Sequence, residues 1–493
     1  MYQTFIGLEV HINLLTKTKA FCNCRMAFGD EPNANICLGC MAYPGTLPAL
    51  NLEALRMGAM VARALNCTIP EQTWFERKQY FYPDLSKNYQ LTQFASPIGQ
   101  KGYFDIEGMV AGKEIKKRVR IKECHVEENA GKMIHAGKVS LLDDNRGGAT
   151  LLEIVTEPDL ETGEEAELFV QQFRRMVRYL GVCDGNMEEG SLRADANVSI
   201  NLPGKGLGRR VEIKNLNSSR FIKLGVNYEI ARHSSMMDAG KTVAQETRFW
   251  NENKDETVAM RQKENANDYR YFPEPDLPVF CPDAEFLKSV DDAMVELPLA
   301  RLKRMTADYG LGLEQADLIC EEKTWADYFE ATVAAATGGG LAKQDAASRT
   351  ANWLLQDIKH LFAKAGIEPQ EIASSRLTSA RLASLVVLAG TGKITGKNAK
   401  QCLEAVLAED KDPQDIARER GWEVISDPAA IAEVLKSVAA GEEALVQELK
   451  GGELSEKRRQ ALTAFLTGKV LAATGGKADP KIAGRLVSEL LKG

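Results

Sequence analysis

The sequence predicts an α+β protein, with a strand-rich N-terminal domain over residues 1–292, an all-α helical domain over 293–406 and a helical tail domain over 407–493. Three observations carry this reading. Short runs of period-2 alternation recur before position 292, punctuated by Gly and Pro. A single strong helical stretch interrupts them. After Asp292 the texture turns to Ala, Leu, Glu and Lys at helical spacing.

The alternating runs are Ile6–Ile12, Val119–Glu127, Leu192–Ile200 and Val211–Lys214. Gly204–Gly208 has the composition of a hairpin turn. The helix spans Glu164–Leu180; it begins after Thr162 and stops at Gly181, as a C-terminal glycine should. Further on, Ala346–Ala365, Ser379–Leu388 and Lys397–Ala408 read as amphipathic helices, and Thr337–Gly340 and Asp410–Pro413 as loops.

At 493 residues the chain has room for two to four domains. Its 44% hydrophobic and 27% charged residues are ordinary for a soluble protein. No apolar run approaches the ~20 residues that span a bilayer, and the start lacks the basic and apolar regions of a signal peptide. A cytoplasmic location without membrane contact is expected. The net charge of −7 disfavours nonspecific nucleic-acid binding. Yet Leu449–Gly493 holds nine Lys/Arg against four Asp/Glu, a local +5 that suits either an RNA contact or a solvated helical face.

The strand runs carry the first chemical signal. A strand alternates faces, so in Ile6–Ile12 the apolar Ile6, Leu8, Val10 and Ile12 oppose Gly7, Glu9 and His11. Glu123, His125 and Glu127 share a face in the second run; Arg193, Asp195, Asn197 and Ser199 share one in the third; Glu212 and Lys214 share one in the fourth. A sheet half exposed to solvent needs polar residues, but not His, Glu and Asp so regularly, and the chain has only five His. A carboxylate-rich site suits a hard cation such as Mg²⁺ or Mn²⁺, the usual equipment for handling ATP phosphates. No standard nucleotide loop accompanies it: Ala389–Ile394 lacks the first glycine and the Ser/Thr of a phosphate-binding loop.

Of ten cysteines, four cluster as Cys22-x-Cys24 and Cys37-x-x-Cys40. Two close pairs across a short loop can supply four thiolates to a structural Zn²⁺. Arg77–Gln90 interleaves aromatics with Lys78 and Lys87, which fits base stacking or an ordinary packed turn. A second aromatic segment, Tyr269–Leu277, reads as packing at a domain boundary.

These segments together resemble the B subunits of aspartyl/glutamyl-tRNA(Asn/Gln) amidotransferases. The matching stretches are Ile6–His11, Tyr80–Asp84, His125–Glu128, Gly190–Ser199, Val211–Ser218 and Asp268–Leu277, followed more loosely by Gly392–Lys397 and Gly475–Pro480. The resemblance implies a cradle domain that binds mischarged tRNA and phosphorylates the side-chain carboxylate of Glu-tRNA(Gln) or Asp-tRNA(Asn) with ATP. Ammonia from a partner amidase then displaces phosphate, and a small third subunit holds the two larger ones together. The cognate non-discriminating aminoacyl-tRNA synthetase would be a further partner. Carried over, Glu9, His11, Glu127, Asp195 and Glu212 are the expected magnesium and phosphoryl-site residues, with His125 and Glu128 as catalytic neighbours. Strand parity turns Glu128 away from Glu127 unless a bulge re-aims it. Lys78, Lys87, Arg193 and Lys214 are the expected ATP-binding residues, with the ammonia path as the alternative role for the first two. Asn129 stands where the family commonly has Asp, and Ser86 where it often has Pro. Zinc occurs in only part of the family, so Cys22, Cys24, Cys37 and Cys40 carry that expectation themselves.

Two other readings compete. A tRNA scaffold without chemistry would gain nothing from clustered carboxylates. A self-contained amidoligase would need its own ammonia source, and the chain shows no amidase signature.

Overall fold

A computed structural model describes residues 2–110, 112–261, 269–425, 427–442, 445–447 and 456–490. Asp268 of the matching stretch Asp268–Leu277, and positions 449–455 and 491–493 of the basic tail, lie outside them. The chain forms two compact units, Met1–Leu299 and Ala300–Gly493. The expected α+β organisation is borne out: a sheet dominates the first unit and helices make the second.

The first unit holds thirteen strands among its described residues: β1 (Gln3–Asn13), β2 (Glu76–Gln79), β3 (Tyr89–Thr92), β4 (Gly99–Val110), β5 (Lys113–Glu128), β6 (Lys132–Ala136), β7 (Val139–Asp143), β8 (Thr150–Thr156), β9 (Leu192–Asn201), β10 (Val211–Lys214), β11 (Glu246–Asn251), β12 (Glu256–Arg261) and β13 (Phe272–Pro273). Eleven form one sheet in the order β12-β11-β10-β9-β1-β8-β5-β3-β2-β13, with β4 also on β5; β6 and β7 make a separate hairpin. Its helices are α1 (Leu52–Ala64), α2 (Gly163–Tyr179), α3 (Ser219–Asp238) and α4 (Ala284–Ala293). Thr162 caps α2 by accepting from the Glu165 amide at 3.2 Å.

One face of the sheet is apolar for a simple reason. Ile6, Leu8, Val10 and Ile12 alternate inward from β1 and join Leu55 and Val61 of α1, Phe169 and Phe173 of α2, and Ile222 and Val226 of α3 in one core. β5 obeys alternation only with an irregularity. Its pairing with β8 slips between Ile121 and Glu123. Val119 and Ile121 are buried before the slip, and Cys124 and Val126 after it. The extra residue switches parity and delivers Glu123, His125 and Glu127 to the polar face. Gly102 marks a close approach: a Cβ there would fall on the Leu65 carbonyl and Cys67 Sγ beyond the end of α1.

The second unit continues as α5 (Pro298–Tyr309), α6 (Leu313–Cys320), α7 (Lys323–Gly338), α8 (Lys343–Asn352), α9 (Lys359–Ala365), α10 (Ser379–Gly390), α11 (Gly396–Glu409), α12 (Pro413–Glu419), α13 (Pro428–Gly441), α14 (Glu456–Ala473) and α15 (Pro480–Leu490). A π-helical turn at Trp353–Ile358 joins α8 to α9. α11 runs through position 406, so the boundary drawn there from composition falls inside a helix; the chain turns at Asp410, which is left-handed. α13, α14 and α15 pack on their own small core, with Ile431, Leu466, Val470 and Val487 at its centre. No helix of the described residues is long and apolar enough to cross a membrane.

Candidate functional site

The polar side of the sheet gathers side chains from five adjacent strands, β10-β9-β1-β8-β5. Register does the placing. His11 of β1 stands opposite Glu153 of β8, which stands opposite His125 of β5. Glu9 stands opposite Asp195, and Asn197 opposite Glu212.

At the centre, Glu153 Oε2 lies 3.3 Å from His11 Nε2 and 3.1 Å from His125 Nε2. His11, Glu127 and Glu153 each offer one ligand atom, all within 4.8 Å of one another. Burial pushes both imidazoles toward the neutral form, but the Glu153 and Glu127 carboxylates together outweigh it and raise both. Burial opposes ionisation of Glu153 too; the two rings overcome it and hold that carboxyl well below its usual range. Glu127 is 3% exposed, and its Oε2 is buried with no hydrogen-bond partner among the described residues. A buried carboxylate oxygen left unpaired is costly, and a cation is what such a group fits. Lys78 stands nearby. Burial would lower its ammonium, while Glu127, Tyr271 and Glu153 hold it above the ordinary lysine value.

A second group adjoins the first. Asn197 Nδ2 donates to Glu9 Oε1 at 2.9 Å, Lys214 Nζ donates to Asp195 Oδ2 at 2.7 Å, and Lys214 lies 3.3 Å from Glu212 Oε1. Thr247 of β11 donates to Glu212 Oε2 at 2.9 Å. Burial works against the Lys214 charge, but Asp195 and Glu212 together raise it. Arg193, opposite His11, reaches toward Asn129 Oδ1 at 3.5 Å.

The expected residues therefore divide. His11, His125 and Glu127 meet, with Lys78 beside them. Glu9, Asp195, Glu212, Lys214 and Arg193 share the face beside them: Lys214 joins Asp195 and Glu212, Glu9 bonds Asn197 and Arg193 reaches Asn129, so of the five expected magnesium residues only His11 and Glu127 lie in the His11–Glu127–Glu153 cluster. Glu128 and Lys87 are not on this face. Glu128 is buried on the other side, gripped by Lys87 and by the Leu91 amide at 2.9 Å. The β5 irregularity lies upstream of it, so ordinary alternation turns it away from Glu127. Glu153 was missed by sequence reasoning. It is the sole charge in the apolar run Thr150–Thr156, and that isolation was its only signal.

The four cysteines converge as their spacing suggests. Cys22, Cys24, Cys37 and Cys40 place their sulfurs within 4.8 Å of one another, with Cys24 and Cys40 at 4.0 Å. A tetrahedron with Zn–S bonds of about 2.3 Å has sulfurs about 3.8 Å apart, so the set fits a four-thiolate centre. The Cys37 amide donates to Cys40 Sγ at 3.1 Å. The loop is fastened to the turn after β7: the Asp144 amide donates to Asn33 Oδ1 at 2.8 Å, and the Asn35 amide to Asn145 Oδ1 at 2.8 Å.

The two aromatic segments pair through β2 and β13. Their rings touch where Tyr80 meets Tyr269 edge-on at 6.2 Å, and Phe94, just past β3, stacks on Tyr271 with centroids 4.0 Å apart. Burial, aided by Glu127, pushes the Tyr271 hydroxyl up to about 12. The strip thus borders the histidine–carboxylate centre. Phe81 and Tyr82 stay exposed.

Fold and site define a class: a two-unit chain with a histidine–carboxylate centre laid across an open sheet and a thiol centre in a loop beside it, without a nucleotide-binding loop. The profile of the GatB/GatE catalytic domain matches residues 4–288, and that of the GatB domain matches residues 327–491. Proteins named as the B subunit of aspartyl/glutamyl-tRNA(Asn/Gln) amidotransferase are similar along the whole chain. That of Acaryochloris marina is 41% identical, covering 100% of this chain and 98% of its own. That of Crocosphaera subtropica is 42% identical over the same shares, and that of Carboxydothermus hydrogenoformans is 39% identical over 99% of each. The chain belongs to the GatB/GatE family of tRNA amidotransferase subunits.

Proposed function

We propose that this chain is the part of a glutamine-dependent tRNA amidotransferase that activates the side-chain carboxylate of mischarged Glu-tRNA(Gln), Asp-tRNA(Asn) or both. ATP phosphorylates that carboxylate, and ammonia then displaces phosphate to give the amide. The chemistry requires activation, because a carboxylate carries no adequate leaving group for ammonia. The observation that supports this reading is the sharing of Glu153 by His11 and His125 beside the unpaired Oε2 of Glu127.

His11, Glu127 and Glu153 would hold a divalent cation, Mg²⁺ or Mn²⁺, which would neutralise charge on the transferred phosphoryl group. His125 fixes Glu153 from the side away from His11. Lys78 offers a cation toward phosphate or the reacting carboxylate. Lys214, held by Asp195 and Glu212, extends the positive charge along the face, and Asn197 orients Glu9. Lys87 and Glu128 act from the far side of the sheet, where they line a cavity with the cysteine loop. That loop would hold a structural Zn²⁺.

The reading includes a partner amidase as the source of ammonia, a small third subunit, and their assembly with this chain into a cytosolic heterotrimer. The chain contains no amidase signature of its own. The cognate non-discriminating synthetase would deliver the mischarged tRNA. We assign tRNA binding to the C-terminal helices, on the strength of the basic excess there and the separate core of α13–α15.

The test is amidation of each mischarged tRNA by the reconstituted heterotrimer, with and without ATP. ATP-dependent formation of Gln-tRNA(Gln) or Asn-tRNA(Asn) is expected. Amidation that proceeds equally without ATP would overturn the reading.

A further inference from the structure

Lys19 is completely buried, a rare state for a lysine. Its ammonium donates to the Asp144 carbonyl at 2.9 Å and toward Cys40 Sγ at 3.7 Å. Asp144 bonds it through the backbone oxygen, while the Asp144 carboxylate lies within electrostatic reach. Glu128, which lines the same cavity, is already bound by Lys87. The Lys19 amide also donates to the Cys24 carbonyl at 3.0 Å, so both main chain and side chain engage the cysteine loop.

A buried ammonium needs an anion. Four neutral thiols would leave Lys19 with one carbonyl as its main hydrogen-bond acceptor and the Asp144 carboxylate, which does not bond it, as its nearby charge. Four thiolates around a divalent cation carry a net charge of two minus, and Cys40 presents that charge to Nζ. We propose that Lys19 is the buried counter-cation of a four-thiolate zinc centre formed by Cys22, Cys24, Cys37 and Cys40, and that it fastens this centre to the turn between β7 and β8. The inference rests on the zinc reading above. It gives the lysine a positioning role. Nζ and the Cys37 amide both reach the Cys40 sulfur, so the lysine would hold that ligand in position for a metal. Through Asp144 it also braces the chain between β5 and β8, the strands that carry Glu127 and Glu153. Lys19 then belongs with the metal's surroundings, although no cysteine motif contains it.

The experiment uses the full chain in its assembled complex. Zinc content is measured first, then the rate of zinc transfer to a chromogenic chelator for wild type, Lys19→Met and Lys17→Met. Methionine keeps the stem and removes the charge, and Lys17 is an exposed neighbour. About one zinc per wild-type chain is expected, with release at least about tenfold faster from Lys19→Met and unchanged from Lys17→Met. Wild type with less than about half an equivalent of zinc would remove the metal reading itself. Wild type with zinc, and Lys19→Met releasing it at the wild-type rate, would overturn the role of Lys19 alone. If Lys19→Met does not fold, the wild-type complex is acylated at lysines before and after zinc chelation and mapped by mass spectrometry. Lys19 is expected to react only after chelation; equal labelling with zinc bound would overturn the proposal.

Discussion

His11 and His125 sit on strands that do not pair with each other, yet both rings reach the same oxygen of Glu153, at 3.3 and 3.1 Å. β8 stands between them and supplies that oxygen. Glu153→Gln keeps the shape and removes the charge shared by the two rings. Affinity for Mn²⁺, followed by spin resonance, is expected to fall at least about tenfold. An unchanged affinity would remove Glu153 from the proposed ligand set.

Acid stability should report a second buried carboxylate. Glu229 of α3 is completely buried, 2.7 Å from Arg232 Nη2 and 3.3 Å from Arg248 Nε. Burial raises its carboxyl, but His233, Arg232 and Thr257 together pull it down to about 2. A carboxylate depressed in the fold stabilises above its unfolded value of about 4.3 and loses that contribution as pH falls toward 2. The urea midpoint should therefore drop between about pH 5 and pH 2, and Glu229 would account for about 3 kcal/mol of the loss. Glu229→Gln should flatten the profile in that window. A profile as steep as wild type would contradict the assignment.

Gly102 admits no side chain without movement of the backbone beyond α1. Gly102→Ala is expected to destabilise the first unit by about 1–3 kcal/mol, seen as a lower melting temperature. An unchanged melt would show that the α1 end and β4 can separate freely.

Removal of residues 425–493 takes away α13–α15 and their small core while leaving α10, α11 and α12 complete. The assembled complex should lose tRNA affinity in filter binding and keep most of its ATP hydrolysis. Equal tRNA binding with and without these residues would move the contact elsewhere.

Much of this was legible before the fold. Alternation in Ile6–Ile12 and Leu192–Ile200 gave the right faces, because each strand has one side against the core. Thr162 and Gly181 bracketed α2 closely. β5 was harder: simple alternation puts Val119 and Ile121 with Glu123, and only the irregularity between Ile121 and Glu123 separates them. Glu153 was illegible, since an apolar run with one charge reads as a buried strand. Its meaning comes from cross-strand register, a property of three strands distant in sequence. Lys19 likewise looks like any loop lysine until its burial beside Cys40 is known.

The central claim is that the polar sheet face activates the carboxylate. The most direct test is Glu127→Gln, assayed in the reconstituted complex for ATP-dependent amidation and, separately, for tRNA binding. The account predicts amidation reduced at least about 100-fold with tRNA binding intact. Amidation at the wild-type rate would contradict it.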